Sequence, residues 1–200
     1  LKRSTRQILA ATNNTDKLRE IRQILNGSDW EVVSLNDFPP YPEPPENAET
    51  LVENALEKAR EGYQHTGIIT LADDSGLEVD YLNGRPGVHS ARYAGENASY
   101  DDNVDLLLRE IDGAQENERT ARFRCVMALV GAGIEQWWEG VSEGIIIETR
   151  KGSSGFGYDP VFWSHELGKT FAEASSEDKN RVSHRGQALI GLSNVLNELT

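Results

Sequence analysis

"GIITLADDSGLEVDYL", Gly67 to Leu82, decides how this 200-residue chain folds. Its first six residues form an apolar, β-branched run of the kind found in buried strands. "GLEVDYL" then alternates as a strand does, after Ser75 and Gly76, which predict a tight turn between two strands. Asp73 and Asp74 stand side by side where the apolar run ends. If the first strand reaches Asp74, side chains alternate: Asp73 continues the face of Ile69 and Leu71, and Asp74 that of Ile68, Thr70 and Ala72. The two carboxylates then face opposite ways and do not act as one dyad. One Asp can fasten the turn through backbone N–H groups while the other looks into a cleft. Alternation leaves open which does which, and a pair of plain turn formers is the bland alternative.

Working outward, "RQILAA" reads as a first strand, and "DKLREIRQIL" as a helix with Leu18, Ile21 and Leu25 inward. "WEVVSL" is a second strand, and "FPPYPEPPENAE" holds five of the seven prolines and must be an extended loop. "TLVENALEKAREGY" predicts a helix with Val52, Leu56, Ala59 and Tyr63 on one stripe and Thr50 and Glu53 as a capping box. "GRPGVHSARYAGENAS" is an irregular loop. "YDDNVDLLLREI" is a helix with Val104, Leu107, Leu108 and Ile111 inward. Three strands follow, "TARFRCVMALV", "IEQWWEGV" and "EGIIIETR", the first two turned by Gly131 to Gly133. "VFW" is a short strand, "SSEDKNRV" a helical turn, and a final helix carries Leu189, Leu192, Leu196 and Leu199 on one face. Interleaved helices and strands without a repeat predict one α/β domain over 1–200, a mixed twisted sheet flanked by helices and split into two lobes by a cleft.

Composition narrows the function. With 38% hydrophobic and 26% charged residues the chain is an ordinary globular protein. A formal net charge of −13 argues against nucleic acid or an anionic membrane as partner, because both need a basic face. It leaves room for a small phosphorylated substrate served by a few local cations. Cys125 is the only cysteine and lies in an apolar run, so it reads as a buried thiol in a reducing compartment, and the expected location is cytoplasmic. "QILAA" is too short for a signal-peptide core, and no apolar run reaches membrane-spanning length.

Four further clusters carry chemistry. "ATNNTDK" joins the first strand to the first helix, where free N–H groups and Lys17 favour an anion; its bland reading is a helix cap by Asn14 or Thr15. In "GFGYDP" the glycines around Phe156 let that ring stand clear as a platform for a planar group, or simply make a turn. "DKNRVSHRGQAL" gathers Lys179, His184 and Arg185 before the last helix, with a structural His184 as the alternative. Glu46 and Glu49 end the proline-rich loop as candidate second carboxylates, and a Mg²⁺ ion takes one or two carboxylates with water and phosphate oxygens. Together these make the inventory of a Mg-nucleotide site.

"LAATNNTDKLREI", "ENAETLVENALEKAR", "LADDSGLEVDYLNGRPGVHSARYAG", "GFGYDPVFW" and "SHRGQAL", in this order, closely resemble the inosine triphosphate pyrophosphatase family from Ile8 to about Leu196. Asn13 stands where that family usually has glycine, and Asn tolerates positive φ better than most residues. The resemblance implies Mg²⁺-dependent hydrolysis of XTP, dITP and ITP to the monophosphate and pyrophosphate, in a homodimer. It implies Asp74 as general base, metal ligand or both, Glu46 as second metal carboxylate, and Asp73 as a brace. Thr12, Asn13, Asn14, Lys17, Ser75 and Lys179 would hold the triphosphate. Phe156 would stack on the purine, with Gly157, Tyr158 and Asp159 lining its pocket and His184 and Arg185 donating to the base. Glu49 and Glu53 would be surface and capping residues. A Maf-like pyrophosphatase of related fold has a first loop richer in serine and arginine, and a nucleotide sensor would bind without turnover.

Overall fold

A computed structural model describes residues 6–40, 44, 46–131 and 133–198. Among the described residues eight strands form one mixed sheet: β1 (Arg6–Ala10), β2 (Trp30–Ser34), β3 (Thr70–Val79), β4 (Pro86–Gly87), β5 (Thr120–Gly131), β6 (Ile134–Ile146), β7 (Phe162–Ser164) and β8 (Lys169–Thr170). Their order is β2-β1-β3-β5-β6-β7-β8, with β4 on β3. β1 runs parallel to β2 and to β3, while β4, β7 and β8 join antiparallel. Five α-helices among the described residues accompany them: α1 (Thr15–Ile24), α2 (Leu51–Thr66), α3 (Tyr100–Glu110), α4 (Ser176–Val182) and α5 (His184–Glu198). The expected mixed sheet with helices is present.

The chain gathers into two compact units. The first holds residues 1–74, 126–138 and 188–200. Within it Leu18 and Ile21 of α1 and Leu25 beyond its end are buried as their spacing predicts. Ala11, Ala55, Ala59, Ala72, Val126, Ala128 and Val130 form a core of small side chains. Their size lets α2 lie close to β1 and β3: a Cβ added at Gly62 would stand 2.8 Å from Thr70 Cγ2. Thr50 caps α2 as expected, its hydroxyl accepting from the Glu53 amide and donating to the Glu53 carboxylate.

The second unit, residues 75–125 and 139–187, is built around Leu77, Val79, Val104, Leu107, Ile111, Phe123, Phe162 and Phe171. α3 opens on a capping box between Ser99 and Asp102. Three aromatic rings, Phe123, Phe162 and Phe171, meet with centroids 4.6–5.9 Å apart.

Several local expectations are corrected. Ser75-Gly76 makes no turn; β3 runs unbroken from Thr70 to Val79, and Gly76 is required instead because Gly87 O would lie 2.3 Å from its Cβ. "IEQWWEGV" and the first four residues of "EGIIIETR" are one strand, β6, which ends at Ile146, since Gly140 and Gly144 bring no change of direction. The loop after β3 carries the short β4. Of the expected α2 stripe Ala59 is buried, while Val52, Leu56 and Tyr63 are half-buried against the same core; the fully buried face extends instead to Asn54, Ala55, Lys58 and Gly62. In α5 Leu189, Leu192 and Leu196 are buried, and Leu199 lies outside the described residues, as do Tyr41, Pro42, Glu43 and Pro45 of the proline-rich loop.

Candidate active site

In the first unit, the loop between β1 and α1 is closed by its own side chains. Asn14 is the N-cap of α1, its Oδ1 accepting from the Asp16 and Lys17 amides at 3.0 and 3.1 Å. Thr12 Oγ1 accepts from the Asn14 amide at 3.1 Å. Asn13 is exposed and does not adopt positive φ, so its Cβ is accommodated without the strain that would favour glycine there. Lys17 reaches from the first turn of α1 to Asp73, with Nζ 3.1 Å from Oδ2. Asp73 is therefore ion-paired within a strand and does not fasten a turn.

Asp74, the next residue, is 4% exposed and meets a different partner set. Asn54 Nδ2 donates to its Oδ2 at 2.9 Å, and Lys58 Nζ lies 3.6 Å from its Oδ1. Lys58 also donates to Glu46 Oε1 at 2.7 Å and to the backbone carbonyl of Asp73 at 2.6 Å. The two aspartates thus take separate cations, Lys17 and Lys58, as strand alternation requires. One ammonium sits among the oxygens of Glu46, Asp73 and Asp74. Burial pushes the Asp74 carboxyl above the usual aspartate range, only partly offset by Lys58 and Lys17. Burial acts in the same sense on Glu46, but Lys58 outweighs it and holds that carboxyl low. Lys58 is itself held up by Asp74, Glu46 and Asp73 against its burial.

In the second unit, the 155–159 loop wraps around one carboxylate. Asp159 Oδ2 accepts from the Phe156 amide at 2.8 Å and from Lys179 Nζ at 2.6 Å. Gly155, at φ +76°, leaves room for that carboxylate, since a Cβ there would lie 2.0 Å from Oδ2. Gly157 is also left-handed, at φ +60°. The half-buried Phe156 ring is flanked by cations: Lys179 Nζ is 4.8 Å and Arg185 Cζ 5.9 Å from its centroid. Tyr100, at the start of α3, approaches it at 5.7 Å. Arg185 is 1% exposed and donates through Nη2 to Ser75 Oγ at 3.3 Å. His184 opens α5 stacked on Phe123, 4.6 Å and 13° apart. Tyr158 is buried, its hydroxyl donating to Ser90 O at 2.9 Å, and burial raises its pKa.

The structure therefore brings the expected residues into two groups. Lys17, Glu46, Asp73 and Asp74 belong to the first, with Thr12 and Asn14 in the adjoining loop. Ser75, Phe156, Tyr158, Asp159, Lys179, His184 and Arg185 belong to the second. Sequence reasoning missed Asn54 and Lys58. Their signal was present: two polar residues four apart, in step with Ala55 and Ala59 on a helix face that should be apolar.

The chain matches the sequence model of the Ham1 family over residues 8–195. It is 49% identical to a dITP/XTP pyrophosphatase of Geobacter sulfurreducens over 191 residues, 95% of this chain and 96% of that one. It is likewise 49% identical to a dITP/XTP pyrophosphatase of Methylococcus capsulatus over 198 residues, 98% of each. The solved structure of a HAM1 protein from Coxiella burnetii superposes with a TM-score of 0.86 at 40% identity, covering 96% of this chain and 99% of that one. The Staphylococcus aureus Ham1 protein gives the same TM-score at 36% identity, covering 98% and 100%. Full-length agreement in sequence and in fold makes this chain a member of the Ham1 family.

Proposed function

We propose that the chain hydrolyses non-standard purine nucleoside triphosphates (XTP, dITP and ITP) to the monophosphate and pyrophosphate, using Mg²⁺. The observation that carries this reading is Asp74: a buried carboxylate, raised in basicity and held between Asn54 and Lys58. The activity named for the relatives that match over nearly the full length supports it. A metal suits the donor set, which is all oxygen and already surrounds the Lys58 ammonium. Among the described residues no group of three His, Cys, Asp or Glu could hold an ion. Glu46 and Asp74 would hold it jointly with phosphate oxygens and water, the usual division for Mg²⁺. When bound, the ion supplies positive charge to the phosphates and orients the attacking water.

Asp74 accepts the proton of that water as its oxygen attacks the α-phosphorus. The bond from the α-phosphorus to the bridging oxygen breaks, and its electron pair leaves with pyrophosphate. Lys17 receives the developing negative charge, turning from Asp73 to do so, with the Thr12 hydroxyl and the Asn14 side-chain NH₂ beside it. Lys58 partly neutralises the Glu46 and Asp74 carboxylates when nucleotide is absent. Phe156 offers its face to the purine, while Arg185 and His184 donate to the 6-oxo group that hypoxanthine and xanthine have and adenine lacks. Lys179, ion-paired with Asp159, stiffens the Phe156 loop. A homodimer is part of this reading, and a monomer mass in sedimentation would remove it.

Asp74→Asn tests the assignment, because a positioned general base contributes about 10²–10⁴ in rate. Turnover should fall by at least about 10² with nucleotide affinity kept within about threefold. Wild-type turnover in that variant would sink the role given to Asp74.

A further inference from the structure

We infer that Asn54 is a positioning residue that fixes the geometry between Asp74 and the loop carrying Glu46, and so sets divalent-metal affinity. The inference rests on the proposed metal-dependent function and deepens it. Asn54 is 1% exposed, near the start of α2, where an amide without partners would be costly. Both ends of that amide are used. Its Nδ2 donates to Asp74 Oδ2 at 2.9 Å, and its Oδ1 accepts from the Ala48 amide at 3.1 Å. Ala48 lies two residues after Glu46, so one planar group ties the backbone of the Glu46 loop to the carboxylate of β3.

Lys58, one helical turn on, binds the Glu46 and Asp74 carboxylates as a point charge on a flexible stem, which balances charge without fixing angles. The rigid amide of Asn54 leaves Asp74 one orientation, with Oδ2 occupied and Oδ1 turned towards the cation position. A purely structural asparagine would not need both of its contacts on the two metal-side segments. Outer partners of this kind typically alter metal affinity by about 10–100-fold when removed.

The test uses full-length protein and Mn²⁺ alone, titrated without nucleotide and read by electron paramagnetic resonance. Asn54→Leu keeps the volume and removes both hydrogen bonds; Asn54→Ala removes them with a cavity and serves if the leucine variant fails to fold. Both should weaken Mn²⁺ binding by about tenfold or more. In assays with ITP, kcat should fall by at least about tenfold while KM changes by less than about threefold, since the Asn54 amide is buried and taken up by Asp74 and Ala48. A lower melting temperature with Mn²⁺ affinity and kcat within twofold of wild type would overturn the inference and leave Asn54 structural. If wild-type protein hydrolyses ITP yet neither variant differs, this inference alone fails. If wild-type protein neither binds Mn²⁺ nor turns over, the proposed function fails with it.

Discussion

Replacing Lys58 with methionine isolates the electrostatics of the first unit. The ammonium donates to Glu46 Oε1 and Asp73 O and stands 3.6 Å from Asp74 Oδ1, and the side chain is 10% exposed. Methionine keeps most of the volume and removes the charge, so two carboxylates and a carbonyl lose their shared cation. Removing one partner of a buried ion pair costs about 3–5 kcal/mol. Glu46 is one-third exposed and can turn to water, which places the loss near about 3 kcal/mol. For a chain of this size that is a fall of roughly 6–12 °C in melting temperature. Differential scanning calorimetry in EDTA measures it. Adding Mg²⁺ should then raise the variant's melting temperature more than the wild type's, because the ion supplies the missing charge; at 100 times its dissociation constant a ligand contributes about 2.7 kcal/mol. A shift under about 2 °C in EDTA, or equal metal responses in the two proteins, would refute the view that Lys58 holds these carboxylates together.

Three further outcomes follow from the second unit. Phe156→Ala removes the aromatic face, and since base stacking is worth about 1–3 kcal/mol, KM for ITP should rise roughly five- to 150-fold; an unchanged KM would mean the purine sits elsewhere. Arg185→Ala should narrow the ITP-to-ATP ratio of kcat/KM by at least about tenfold, and an unchanged ratio would show that the base is read by other donors. On the sheet, the Arg122 guanidinium pairs both oxygens of Asp80 at 2.9 Å and holds that carboxyl below its ordinary value. A depressed folded-state pKa adds stability above the unfolded value of about 3.9 and loses it as pH falls through the folded one. Asp80→Asn should therefore lower the urea midpoint at pH 7 and lower it less as the pH falls below about 3.9; an equal loss at neutral and acid pH would contradict the pairing.

The sequence made the strands of both units legible because apolar runs such as "QILAA" and "FRCVMALV" have one physical use. It also separated Asp73 from Asp74, since alternation on a strand is geometric. It misread Ser75-Gly76 because those residues make turns when nothing else decides. Here Gly76 is needed for the approach of Gly87, a tertiary contact that local spacing does not encode. The same holds for α2. Val52, Leu56, Ala59 and Tyr63 form the more apolar stripe, yet the small core around Ala11 and Ala72 buries Ala59 together with Ala55 and Gly62 most fully, and so carries Asn54 and Lys58 inward. Lys179 and Arg185 were legible as donors, but the carboxylate that neutralises Lys179 and the serine that receives Arg185 were not. Ion pairs across 20 or more residues depend on which loops meet, and only the folded chain reveals that.

Pyrophosphate release with Mg²⁺ from a panel of XTP, dITP, ITP, GTP, ATP, dTTP and UTP tests the central claim most directly. The account predicts fast turnover of the first three, one pyrophosphate and one monophosphate per event, with GTP and ATP nearly inert. Preference for dTTP or UTP, release of orthophosphate instead, or binding of ITP without any turnover would contradict it.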